Sequence, residues 1–263
     1  MRTASNFLTR IRRHATPPLV VTAAIAAHAS PSAAQPSAPR LDRLGPVTAD
    51  GEPRIMGGFG FAVGHPRGGF RQHVTRGLGV EGHALYRVDR HGAFAIRLDG
   101  GALNYGRETL RIPLGARPGG GRVQLDVTTT NNVGWLGVGP ALMLPRGPVR
   151  PYANASAGVA YFATTSSARG SGFGDVRFAR STNHDDLQFA WGGGAGVLVP
   201  LYRAARTLLA IDIGAQYRDN GRNVRYVAEG GIRDLPNGDV EVGVVRSRAD
   251  LLTWHVGLSI GAR

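Results

Sequence analysis

Through most of the chain after residue 57, large apolar residues recur at every second position. In the last segment Leu252, Trp254, Val256, Leu258 and Ile260 alternate with Thr253, His255, Gly257, Ser259 and Gly261. A strand sends successive side chains to opposite faces, so one face here is bulky and apolar and the other small or polar. The same alternation sets Leu209, Ile211, Ile213 and Tyr217 against Ala210, Asp212, Gly214 and Arg218, and sets Leu187, Phe189, Trp191 and Val197 against Gln188, Ala190, Gly192 and Gly196. Segments 58–64, 78–88, 93–101, 132–144 and 151–164 complete a set of eight predicted strands. Segment 132–144 is the least regular. Val133 and Trp135 share one parity while Leu136, Val138, Leu142 and Leu144 share the other, which predicts a bulge or parity switch near Gly134.

A barrel in water would turn its bulky apolar face inward. Here the other face carries Gly, Ser, Asn and charges, too little volume to fill a soluble core. Glu81, His83, Arg97, Asp99, Asp212 and Arg218 all stand mid-strand on that polar face. The arrangement of lower free energy is inverted, with the apolar face on lipid and the polar face in a narrow lumen. Lipid offers no partner for backbone N–H and C=O groups, so the sheet must close on itself.

The connectors point the same way. Short links at 89–92, 145–148 and 200–206 alternate with long polar ones at about 65–75, 106–122, 166–185 and 219–248. Three short turns and four long loops require eight strands, with both ends of the barrel segment on the short-turn side. The predicted fold is therefore all-β: a closed, antiparallel, up-and-down transmembrane barrel of eight strands. Within the fourth loop, Leu235–Asp239 reads as a hairpin turn, and Val240, Val242 and Val244 read as strand extensions above the membrane. If 222–247 crossed the membrane instead, the barrel would have ten strands.

Seven aromatic residues sort by end. Tyr161, Phe189, Trp191, Tyr217 and Trp254 fall near the long-loop end, and Tyr86 and Phe94 near the short-turn end. These are the two interfacial girdles expected of a membrane barrel.

Composition adds an address. The chain has 263 residues with no Cys, which excludes a disulfide scaffold and a Cys-ligated metal; no cofactor or metal site is predicted. Arg2, Arg10, Arg12 and Arg13 precede a short apolar run, 18–27, and Ser32-Ala33-Ala34 then offers small residues for a cut before Gln35. That order predicts a secretory signal peptide at 1–34. Residues 35–52 read as a periplasmic linker and 53–263 as the barrel domain. Losing 1–34 removes four Arg and no acid, leaving 27 Arg against 18 acids, a net +9. In an exported barrel that excess does not argue for nucleic acid.

Arg150-Pro151-Tyr152-Ala153-Asn154-Ala155 opening one strand, Gly192-Gly193-Gly194-Ala195-Gly196 inside another and Tyr217-Arg218 closing a third carry a resemblance. Over about residues 54–263 the chain resembles the outer-membrane β-barrel superfamily, of the small eight-stranded outer membrane protein A and opacity-protein type. The resemblance implies a Gram-negative-type outer membrane, contact with its lipid and lipopolysaccharide, and delivery by the barrel-insertion machinery. That machinery recognises a terminal aromatic residue in the family, whereas this chain ends Ile260-Gly261-Ala262-Arg263.

Candidate chemistry is sparse. The six lumen charges predict a plug of ion pairs, since an unpaired charge in a narrow lumen is costly. Arg107, Arg111, Arg117 and Arg122 cluster in one loop with the single acid Glu108, a possible rim for lipopolysaccharide phosphates. His255 and Ser259 share the inner face of one strand but lie roughly 13 Å apart along it, too far for a nucleophile and its base. No catalytic residue is assigned. The reading is a non-enzymatic outer-membrane barrel with a structural or surface-interaction role carried by its extracellular loops. The alternatives are a transporter of small or apolar solutes and, third, a lipid-modifying enzyme.

Overall fold

The computed structural model describes residues 48, 51–113, 124–170, 177–204, 207–234 and 240–262. The strands are β1 (Ile55–Arg67), β2 (Gly77–Arg87), β3 (Phe94–Pro113), β4 (Gln124–Met143), β5 (Arg150–Gly170), β6 (Arg177–Arg203), β7 (Thr207–Asp219), β8 (Val224–Asp234), β9 (Val240–Ser247) and β10 (Asp250–Ala262). Eight close into a barrel in the order β1-β2-β3-β4-β5-β6-β7-β10, with β10 hydrogen-bonded back onto β1. Each neighbouring pair is antiparallel, so the wall leaves no open edge. β8 and β9 pair only with each other. They form a hairpin outside the wall, so the barrel has eight strands and the ten-strand alternative is corrected.

Exposure follows residue parity. Phe59, Phe61, Leu136, Phe189, Trp254 and Ile260 are among the large apolar side chains that face outward. In water such a band would be a liability far beyond ordinary surface patches; against hydrocarbon it is the solvated face. The fold is thus an inside-out, transmembrane barrel.

Three details differ from the sequence reading. First, β4 has no parity switch. Val133 pairs with Leu103 and Phe162, and Leu136 with Gly100 and Val159, in one unbroken register around Gly134. The bulge lies instead on β3, between Asn104 and Gly106. Val133 and Trp135 face inward and are buried because the lumen needs bulk at that level. Second, 106–113 and 177–185 are not loops but upward continuations of the wall; Gly106–Pro113 pairs with Asn131–Gln124. In these continuations the inner face is polar as well, with Thr129, Asn131 and Thr164 buried and Thr164 donating to Asn131 at 2.8 Å, so Thr, Ser and Asn occupy both parities and the period-two signal disappears. The result is a lopsided rim: β6 has 27 residues against 13 in β1. Third, Thr48 and Glu52, at the end of the stretch read as a linker, are buried at the short-turn mouth.

Candidate functional site

The lumen is built in three layers. At the short-turn end Met56, Leu85, Ala141, Met143, Tyr152, Leu198 and Leu208 pack as an apolar floor. At the long-loop end Leu103, Tyr105, Val133, Trp135, Phe162 and Leu251 line a well that Phe70 and Tyr226 fill from above. Between them lies a belt of charged and hydroxyl side chains.

All six charges singled out from the sequence face inward into this belt. Glu81, Arg97, Asp99, Asp212 and Arg218 are each buried. Two residues, Arg218 and Asp212, organise it. Arg218 donates to Asp99 at 3.2 Å and to Gln216 Oε1 at 2.9 Å, and its guanidinium stacks 4.2 Å above the Trp135 ring. Asp212 accepts from Tyr152 at 2.8 Å and lies 3.5 Å from His83 and 3.4 Å from His255. Glu81 meets His255 at 2.8 Å, and Arg97 lies over the Tyr152 ring, 5.3 Å from its centre. Glycines make the room. Gly158, Gly192, Gly194 and Gly196 have inward Cα atoms on β5 and β6, where an added Cβ would strike backbone or Tyr152.

Sequence reasoning missed His255, Tyr152, Gln216 and Thr253 as members of this network. Along the sequence, His255 and Ser259 share only the inner face of one strand. The barrel instead brings Ser259 Oγ to His83 Nε2 at 3.3 Å across strands, with Asp212 on the far side of His83. That connectivity matches a nucleophile, base and orienting acid. The space around it is closed, however. Ser259 is wholly buried, and a Cβ on Gly58 would sit 2.6 Å from its Oγ. A cavity of about 10 Å³ in the belt touches Asp99, Trp135, Ser156 and Arg218, space for about one water.

The outer mouth is capped. Phe70, on a short 3-10 turn at Gly68–Gln72, makes edge-on contacts with Tyr226 at 4.8 Å, Tyr105 at 5.5 Å and Phe162 at 6.0 Å. The β8–β9 hairpin is tied to the first loop by the Thr75 N–H donating to Glu229 at 3.0 Å, and to the tall wall by the Arg225 N–H donating to Asp186 at 2.7 Å. At its base Arg248 bridges Asp250 at 2.7 Å and Asp219 at 2.9 Å. The hydrogen bond and charge of Asp250, then the charge of Asp219, hold the Arg248 guanidinium above its ordinary pKa.

Of the proposed phosphate rim, Arg107 is exposed on the outward face of the β3 extension, opposite Thr130. Arg111 lies in the same strand opposite Asp126. Arg117 and Arg122 lie outside the described residues, as do 1–34, the cut before Gln35 and the turn at 235–239. Tyr161, Phe189, Trp191, Tyr217, Trp254 and Phe94 are exposed on the outer wall, and Tyr86 is half-buried there. Among the described residues no group of three His, Asp or Glu side chains could hold a metal ion.

No family model matches the chain, and no curated protein does. Solved structures give distant likenesses. Neisserial surface protein A aligns over 80% of this chain and 99% of its own at 11% identity, with a TM-score of 0.39. The attachment invasion locus protein Ail of Yersinia pestis aligns over 79% and 96% at 12% identity, TM-score 0.38. OprG of Pseudomonas aeruginosa aligns over 78% and 94% at 13% identity, TM-score 0.33. The architecture rests on the closed ladder itself and not on these likenesses.

Proposed function

We propose that this chain is a bacterial outer-membrane barrel, exported with residues 1–34 removed, whose lumen is a solid strut and whose work is done on its outer surface. The observation that carries the reading is the sealed lumen. An apolar floor and an aromatic cap enclose an ion-paired belt, and an eight-stranded barrel leaves an interior that side chains nearly fill. A solute path would have to break all three layers. The exposed, asymmetric rim is what remains for interaction. Arg107, beside the Thr and Asn pairs of the tall wall, stands where phosphates of outer-leaflet lipopolysaccharide would meet a guanidinium. The lumen network is structural and non-catalytic in this reading, and the outward aromatic residues act as interfacial girdles.

The test is conductance. Protein reconstituted in planar bilayers should show no stable porin-sized pore across a range of applied potentials of both signs. A steady monomer conductance would overturn the strut and leave transport as the better account.

A further inference from the structure

We propose that Thr48 and residues 51–54 belong to a strap across the short-turn mouth, and that Arg150 and Arg203 form a carboxylate-binding pocket whose resident occupant is the strap's own Glu52. The inference is independent of the surface-role reading, since it concerns the opposite end of the barrel.

Barrel order places β5 four strands from β1 in either direction, so the two are diametrically opposed. Glu52 lies three residues before β1, yet its carboxylate receives both terminal nitrogens of Arg150, the first residue of β5, at 2.6 and 3.1 Å. Arg203, at the end of β6, reaches the same carboxylate at 3.1 Å. The chain therefore crosses the mouth before it enters the wall. It is held along the way. The Arg87 N–H donates to Arg54 O at 2.8 Å, Arg54 Nη1 donates to Arg87 O at 3.2 Å, and Arg87 Nη1 donates to Pro53 O. The strap also has its own turn, with the Gly51 N–H donating to Thr48 O at 2.9 Å and the Thr48 N–H to Glu52 O at 2.8 Å. Thr48, Glu52 and Arg54 are all buried.

Charge identifies the ligand class. Arg54, Arg87 and Arg150 are each more than nine-tenths buried in this mouth, with Arg203 half-exposed at its edge. Glu52 is the carboxylate that enters among them. A carboxylate matches the planar fork of Arg150 in a way a spherical ion does not. If the strap swings out, Arg150 and Arg203 lose the carboxylate they share. The vacated pocket should then take a small free carboxylate such as acetate.

The chain has no Cys, so one introduced thiol reports cleanly. Thr48→Cys in the full chain, reconstituted in vesicles, should react slowly with a water-soluble maleimide. Adding Glu52→Gln keeps the shape but removes the charge, and should speed labelling about tenfold or more, as expected for loss of charged hydrogen bonds. Adding Glu52→Ala instead should speed it too, and sodium acetate should then slow it again while sodium chloride at equal ionic strength does not. An unchanged rate in Glu52→Gln overturns the strap. Equal effects of acetate and chloride overturn the pocket. If Glu52→Ala does not fold alone, refolding yield against acetate replaces labelling: recovery supports the pocket and no recovery overturns it.

Discussion

The two faces of the barrel wall are made of the same strands yet answer to different rules. Outward, Val256, Leu258 and Ile260 have lipid for neighbours, and lipid conforms to any apolar shape. Inward, Thr253, His255 and Ser259 have only other side chains, each fixed by register: Thr253 to Gln216, His255 to Glu81 and Tyr152, Ser259 to His83. The outer face is specified by polarity, and the inner face by partner, volume and geometry. A change of shape should matter inside, and a change of charge should matter on both faces for different reasons.

The largest effect should come from orphaning a buried charge. Asp99→Leu leaves Arg218 enclosed without its carboxylate, at a cost of about 3–5 kcal/mol. Urea unfolding of protein refolded into lipid vesicles measures it. A loss under 1 kcal/mol would show that water reaches the belt and screens the pair. Next is charge on the outer face. Val256→Arg should cost about 2–4 kcal/mol if it lies near the bilayer midplane, while Val256→Leu should be close to neutral in the same assay. Equal tolerance of both would mean that this face does not meet hydrocarbon.

A smaller effect falls on the short turn after β2. Burial alone would raise the Asp89 carboxyl, but the N–H groups of Phe94 and Ala93, each at 3.0 Å, outweigh it and hold the group below the usual carboxylate range. A folded-state pKa below the unfolded one contributes stability that is present above the unfolded value and lost as pH falls through the folded one. Asp89→Asn should therefore flatten a shallow acid limb of the stability curve, lowering stability slightly at neutral pH and converging with the natural protein as pH falls. An identical acid limb in both proteins would remove Asp89 from the account. Smallest of all, Arg107→Glu should leave unfolding unaltered, since its side chain is exposed on the outward face of the extended rim. It should weaken binding to lipopolysaccharide vesicles at low salt, with the difference shrinking as salt shortens the screening length to about 10 Å at 0.1 M. Indistinguishable binding across the salt series would leave Arg107 as solvated surface.

The same contrast explains what could be read from sequence. The outer face of β7 and β10 was legible because lipid demands apolar residues at every second position and nothing else demands them there. Trp135 and Val133 were misread because the lumen carries apolar layers of its own, so bulk alone does not say which way a side chain points. The upper parts of β3, β5 and β6 read as loops because polar residues on both faces erase alternation there. The pairing of Ser259 with His83, and of Glu52 with Arg150, depends on barrel register and closure, which no local pattern encodes. What the sequence did mark was the set of mid-strand charges that must find partners somewhere, without saying which.

The central claim is an inside-out wall around a sealed lumen, and alternating accessibility along β10 tests it most directly. Single Cys substitutions at Thr253, Trp254, His255, Val256 and Leu258, spin-labelled in vesicles, are exposed in turn to oxygen, which partitions into lipid, and to a water-soluble nickel chelate. The account predicts oxygen access at Trp254, Val256 and Leu258, and protection from both reagents at Thr253 and His255. Nickel access at Thr253 and His255 would contradict the seal, and oxygen access without alternation would contradict the wall.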